Sequence, residues 1–225
     1  MNRKLFRETV IKQCQFLIED MYELRMVDNR NFWYEKKTDE KGYRIRFFLT
    51  EYGDTFHVIG PKAEKRFNIV EQYIQPVLND VKLDTLYTIH KQPDFKYVSA
   101  ELVHNETEGN NFMIKEEQEL LLFLKFVQSF YFQTAVPFFD EYKSVNDINQ
   151  KLSSLERDDI TSLINNTGSG DVFYRELTIK FLSNSPDFEE YYNYILKEFE
   201  PLKGNVTFDK IIDNFKKLKK TLESG

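Results

Sequence analysis

The twenty residues from Leu120 to Phe139 read LLLFLKFVQSFYFQTAVPFF. A run this long and apolar leaves three outcomes: a membrane span, a ligand pocket or the centre of a core. A span needs ~20 predominantly apolar residues. Here Lys125, Gln128, Ser129, Gln133 and Thr134 interrupt the run. A lysine near the middle costs roughly 2.5–3.5 kcal/mol on insertion. The flanks are acidic, with Glu116, Glu117 and Glu119 before and Asp140 and Glu141 after, where a span would carry basic anchors. Leu120, Leu124, Val127 and Tyr131 form one helical stripe, and Leu122, Phe123, Phe126 and Phe130 thicken it. A helix apolar over most of its girth is central in a soluble fold. The pattern predicts a core helix from near Lys115, ended or kinked by Pro137. Leu121, Leu124, Val127 and Phe130 are expected to be solvent-inaccessible.

Upstream, the chain opens with an amphipathic helix over about residues 3–20. Its stripe is Phe6, Val10, Cys14, Leu17 and Met21. Strands follow. In Tyr43–Thr50, Ile45, Phe47 and Leu49 alternate with Arg44, Arg46 and Thr50, the mark of a half-buried antiparallel strand. Gly53-Asp54 fits a two-residue turn into Thr55–Ile59. Phe32-Trp33-Tyr34 marks an earlier strand, Lys65–Leu78 a helix, and Leu86–His90 and Phe95–Val103 two more strands. A polar, turn-rich segment at 104–111 closes this part.

Everything after 112 has helical spacing. Ser144 and Asp147 form a capping box before Val145, Ile148, Leu152 and Leu155. A helix over 156–165 follows, then one capped by Asp171 with Phe173, Leu177 and Phe181 on one face. Ser185-Pro186 signals another helix start, and the last helix begins near Thr207. The fold class is α+β: an N-terminal helix and antiparallel sheet with a crossing helix, followed by an all-helical half. The domain expectation is an α+β lobe over 1–111 and a helical lobe over 112–225, or one continuous domain.

Candidate chemistry is thin. Residues 166–171, Asn-Thr-Gly-Ser-Gly-Asp, have the glycines of a phosphate loop, but Asp171 stands where a P-loop needs lysine. His57, His90 and His104 have no partner at helical ligand spacing. His104, Glu106 and Glu108 alternate in a loop that defines no metal geometry. Cys14 sits on an apolar stripe and reads as a buried structural thiol. No serine lies in a nucleophile-elbow pattern. The reading is therefore no catalytic residues, no metal and no cofactor.

Charge narrows the partners. Net charge is −6, which argues against nucleic acid, since phosphate contact needs clustered Lys and Arg. The one basic run, Lys216-Lys217-x-Lys219-Lys220, reads as a solvated helix face. Residues 1–112 carry 17 basic and 18 acidic groups, whereas 113–204 carry 9 and 16. An acidic region suits a basic partner. Asp158, Asp159, Glu189 and Glu190 are its candidate binding residues. Trp33, opposite Phe32 and Tyr34 on its strand, is the aromatic candidate, because exposed rings anchor interfaces. The N-terminus MNRKLFRETV has no signal-peptide core, so the expected location is cytoplasmic, without membrane contact. Oligomeric state is not legible.

Two segments carry a resemblance. Thr134-Ala-Val-Pro-Phe-Phe-Asp-Glu-Tyr-Lys-Ser-Val-Asn-Asp-Ile-Asn is one, and Phe173-Tyr-Arg-Glu-Leu-Thr-Ile-Lys-Phe-Leu-Ser-Asn-Ser-Pro-Asp-Phe-Glu-Glu is the other. With the helix-then-strands opening, the chain resembles uncharacterised bacterial α+β proteins, some of which are similar to immunity proteins of toxin systems. The resemblance implies a binding protein and supplies no catalytic residues. The expected function is a non-enzymatic protein that binds another protein, of the toxin-immunity type. The alternative is an enzyme or small-ligand binder with a pocket between the two lobes.

Overall fold

The computed structural model describes residues 2–27, 31–78, 85–93, 111–165 and 170–224, with the side chains of 26, 27, 31, 111 and 158 left aside. The expected strand over 95–103, the turn-rich segment 104–110 and most of the glycine loop at 166–171 lie outside these residues. The fold is α+β, with an N-terminal antiparallel sheet and a helical C-terminal half. It divides into two compact units interleaved along the chain. Unit 1 is 1–38, 42–64 and 91–140, and unit 2 is 39–41, 65–90 and 141–225.

Unit 1 begins with α1 (Arg3–Gln13) and α2 (Gln15–Glu19). The single helix expected over 3–20 is broken at Cys14, whose backbone leaves helical geometry. Strands β1 (Glu23–Val27), β2 (Asn31–Lys37), β3 (Lys41–Tyr52) and β4 (Thr55–Phe67) are neighbours in that order, and β6 (Asn111–Ile114) also pairs β4. Every described register is antiparallel, with Phe32 opposite Phe47, Tyr34 opposite Ile45, and Phe56 opposite Ile114. The period-two alternation works as expected: Ile45, Phe47 and Leu49 are buried. Strand β6 departs from the helical spacing expected after 112, because four residues beside a polar segment are too few for a periodicity.

The long apolar run is α4 (Glu117–Phe130), a π-helical turn (Tyr131–Ala135) and α5 (Val136–Glu141). Within unit 1, α4 packs on α1 and β6. Phe123 is central, meeting Phe47 at 5.5 Å and Phe112 at 5.2 Å between ring centroids. Leu124, Val127 and Phe130 are buried as predicted, but Leu121 is half-buried, and Leu120 and Phe123 take the inner positions. Pro137 explains the π turn. Its ring would strike the carbonyl one helical turn back, and it has no N–H to bond it. The Val136 N–H accordingly reaches the Tyr131 carbonyl, five residues back.

Unit 2 is organised around α8 (Asp171–Leu182), against which α3 (Asn68–Ile74), α6 (Val145–Leu152), α9 (Phe188–Phe199) and α10 (Val206–Ser224) pack. The helix expected from Lys65 starts only at Asn68, because Lys65–Phe67 continue β4. Beside them lies β5 (Ile89–Lys91), with the Thr88 N–H bonding the Lys65 carbonyl at 3.0 Å. The Ser144 capping box is present. Asp171 is not a cap: Gly170, at φ +82°, is the N-cap, and Asp171 turns inward. The helix expected at Ser185-Pro186 starts at Phe188, with Asp187 as N-cap.

One network holds unit 2. Arg175 is fully buried and grips Glu71 with a two-pronged guanidinium, at 2.9 and 3.0 Å. Its third nitrogen bonds Asp171 and the Asn165 carbonyl, each at 2.6 Å. Thr88 Oγ1 donates to Glu71 at 2.8 Å. A buried charge is tolerable only when it is paired and hydrogen-bonded, and Arg175 meets that condition.

Candidate functional site

A cleft of about 260 Å³ opens in unit 1, lined by Asp20, Tyr22, Lys36, Thr38, Tyr43, Tyr131, Val136, Phe139 and Asp140. Two backbone irregularities build it. The first is the end of α2. The Tyr22 N–H bonds the Leu17 carbonyl and the Met21 N–H bonds that of Ile18, both at 3.0 Å. This is the Schellman pattern, whose left-handed position normally holds glycine. Here it holds Met21, at φ +67°. The second is the π turn, which carries Tyr131. Such turns recur at functional sites.

Tyr131 donates its hydroxyl to the Asp20 carboxylate. Burial raises the pKa of Tyr131, and the bond to Asp20 adds to the rise. Burial likewise raises that of Tyr22, with Tyr131 and Asp20 adding. Both phenols therefore stay neutral around pH 7. They offer donors and ring surfaces, not a phenolate base. Lys36 reaches in, its ammonium 3.7 Å from the Asp20 carboxylate, 3.2 Å from the Asp20 carbonyl and 5.8 Å from the centre of the Tyr22 ring. A carboxylate beside a ring face is a setting that favours cations. Tyr43 and Phe139 meet edge-on at 5.3 Å. Asp140 is exposed and makes no hydrogen bond or ion pair among the described residues.

Two exposed apolar side chains adjoin lining residues in sequence. Met21 is 76% exposed and Phe132 56%. Phe132 lies 5.1 Å from the Tyr131 ring and 5.7 Å from that of Phe16. No linear pattern marks this cleft. Its acids and rings come from the end of α2, β3, the π turn and α5, so no spacing unites them. The one available signal is Pro137 inside a helical run, which announces irregular backbone close by.

The sequence candidates lie elsewhere. Trp33 is half-buried on β2, with the Arg44 guanidinium 4.9 Å above its ring. Arg44 itself bonds Glu64 at 2.6 Å, and Arg46 pairs with the same carboxylate at 2.9 Å. Burial alone would raise the Glu64 pKa, but Arg44, Arg46 and Lys62 outweigh it and hold it at about 2. The aromatic candidate thus belongs to a charged layer on the face of the sheet opposite Phe32 and Ile45, in which Arg44 and Glu64 are buried. Asp158 and Asp159 open α7 (Arg157–Leu163), and Asp159 is exposed. Glu189 and Glu190 occupy the first turn of α9 and are exposed, with Glu189 2.9 Å from Lys219. Arg157 lies 5.7 Å over the Tyr191 ring, which sets the starts of α7 and α9 side by side. The four acids therefore share one region of unit 2.

Among the described residues, no group of three or more His, Cys, Asp or Glu side chains is arranged to hold a metal ion. No helix there is long and apolar enough to cross a membrane. Compared with protein families, curated proteins and solved structures, the chain has no significant match.

Proposed function

We propose that the chain is a non-enzymatic cytoplasmic protein that binds another protein, in the manner of an immunity protein that holds a toxin. The observation that carries this reading is a pair of exposed apolar side chains next in sequence to residues that line the unit 1 cleft. Met21 adjoins Asp20 and Tyr22, and Phe132 adjoins Tyr131. Large apolar side chains ringed by polar groups are the composition of a binding surface. The acids at the starts of α7 and α9 add a second, electrostatic contribution, suited to steering a basic partner.

The test is affinity capture from the native host with the full chain and with a Met21→Asp/Phe132→Asp double variant. Both side chains are exposed, so the variant should fold. The expected result is one protein retained by the unaltered chain and lost from the variant, and toxic to cells lacking the chain. Equal retention by both, or retention of nothing, overturns the reading.

A second reading, small-ligand binding, is favoured by a cavity of about 470 Å³ in unit 2, lined in part by Glu40, Lys41, Phe67, Ile69 and Lys143. That volume lies within the roughly 300–1,000 Å³ typical of small-molecule sites. A metabolite-library thermal-shift screen decides it: a stabilising compound whose effect survives Ile69→Asp is not in this cavity.

A further inference from the structure

We propose that the unit 1 cleft receives an arginine side chain of the protein partner, its guanidinium pairing with Asp140 and lying against Tyr43 and Phe139. This rests on the protein-binding reading and adds the chemistry of the contact.

Size limits the occupant. At about 260 Å³ the cleft is smaller than the roughly 300–1,000 Å³ of most small-molecule sites. It suits one side chain better than a nucleotide or a cofactor.

Charge sets the sign of the occupant. Among the described residues, two carboxylates, Asp20 and Asp140, line the cleft against one cation, Lys36. Lys36 is committed to Asp20, through both its carboxylate and its carbonyl. Asp140 is left exposed and unpaired among the described residues. The charge left over is therefore one negative group on the α5 side.

The surface around that charge selects among cations. The Lys36 ammonium over Tyr22 shows that the cleft walls already hold a cation against a ring. Tyr43, half-buried, and Phe139, 8% exposed and edge-on to it, line the cleft with Asp140. A guanidinium is planar, stacks on aromatic rings, pairs with a carboxylate through two parallel bonds and is more weakly hydrated than an ammonium. An ammonium would be the poorer occupant, because it gains least from flat rings. The neutral phenols add no competing charge in the physiological range.

The test uses defined probes on the full chain. N-acetyl-arginine amide, N-acetyl-lysine amide and N-acetyl-citrulline amide are titrated in turn, and the ring signals of Tyr43 and Phe139 are followed by NMR. Citrulline keeps the shape of arginine without its charge. The expected result is saturable shifts with the arginine probe, binding about tenfold weaker with the lysine probe, and no saturation with citrulline. Asp140→Asn should weaken the arginine probe about tenfold, the scale of one lost ion pair of ~1.4 kcal/mol. Glu8→Gln, an exposed acid on α1 outside the cleft lining, should leave it unchanged. Equal shifts with citrulline, lysine binding as tight as arginine, or indifference to Asp140→Asn would each overturn the assignment. If partner capture survives while the arginine probe fails, the binding reading stands and the arginine site falls. Arginine binding without any captured protein upholds the guanidinium site and overturns the protein-binding reading.

Discussion

At the scale of single residues, unit 2 stands or falls with Arg175. Truncating it leaves Glu71 and Asp171 as buried, uncompensated acids. Arg175→Met is expected to cost about 3–5 kcal/mol, measured by urea unfolding. Replacing Glu71 and Asp171 by apolar or amide residues in the same chain should recover much of that loss. Glu64 predicts a pH effect in unit 1. Its folded pKa of about 2 lies below the ordinary 4.5. The unfolded chain therefore takes up the proton first. The stability from Glu64 is whole above about pH 4.5 and drains away as pH falls towards 2. Glu64→Gln should flatten that acid limb while lowering stability at neutral pH, because Arg44 and Arg46 lose their counter-charge. Cys14, fully buried, has its pKa raised by burial to about 12, although a hydrogen bond with Tyr34 works the other way. It should resist alkylation in the folded protein and react on unfolding. That thiol was legible from the stripe Phe6, Val10, Cys14, Leu17. The role of Arg175 was not. Helical spacing places Asp171 within its reach, but nothing local points to Glu71, 104 residues away.

At the scale of elements, α4 is the core helix that its composition announced, and the inner face differs from expectation by one residue. Phe123→Ala should cost about 3–5 kcal/mol, as for a large ring removed from a packed core. Leu121→Ala should cost clearly less, since Leu121 is only half-buried. Equal losses in thermal unfolding would contradict the packing described. The strands and most helices were readable because one face of each is apolar at a fixed period. Helix starts shifted by one to three residues wherever a strand ran on, as at Lys65–Phe67, or a cap moved, as at Asp187. The cleft was not readable, since it arises where α2 and α4 depart from regular geometry. Met21 links that geometry to the proposed surface. A non-glycine residue in the left-handed conformation costs of order 1–3 kcal/mol. Met21→Gly should therefore raise stability by about 1 kcal/mol and at the same time weaken partner capture, because the exposed side chain is lost. A gain in both, or a loss in both, would detach Met21 from the proposed surface.

At the scale of the whole molecule, the charge distribution predicts kinetics. If the acids of 113–204 steer a basic partner, the association rate falls as salt rises. Reversing Asp159 and Glu190 should slow it further. Glu189 should matter less, because Lys219 already offsets its charge. A rate indifferent to both salt and reversal would assign binding to the exposed apolar pair, Met21 and Phe132, alone. The interleaving of the two units bears on how the gene can be cut. The backbone passes from one unit to the other at 38/39, 41/42, 64/65, 90/91 and 140/141, so no single break releases either unit whole. A product ending at 111 would lack α4, and with it the ring of Phe123 on which Phe47 closes. A product beginning at 112 would keep Arg175 but surrender Glu71. Neither half carries a complete interior, because a cut at 111/112 divides both units.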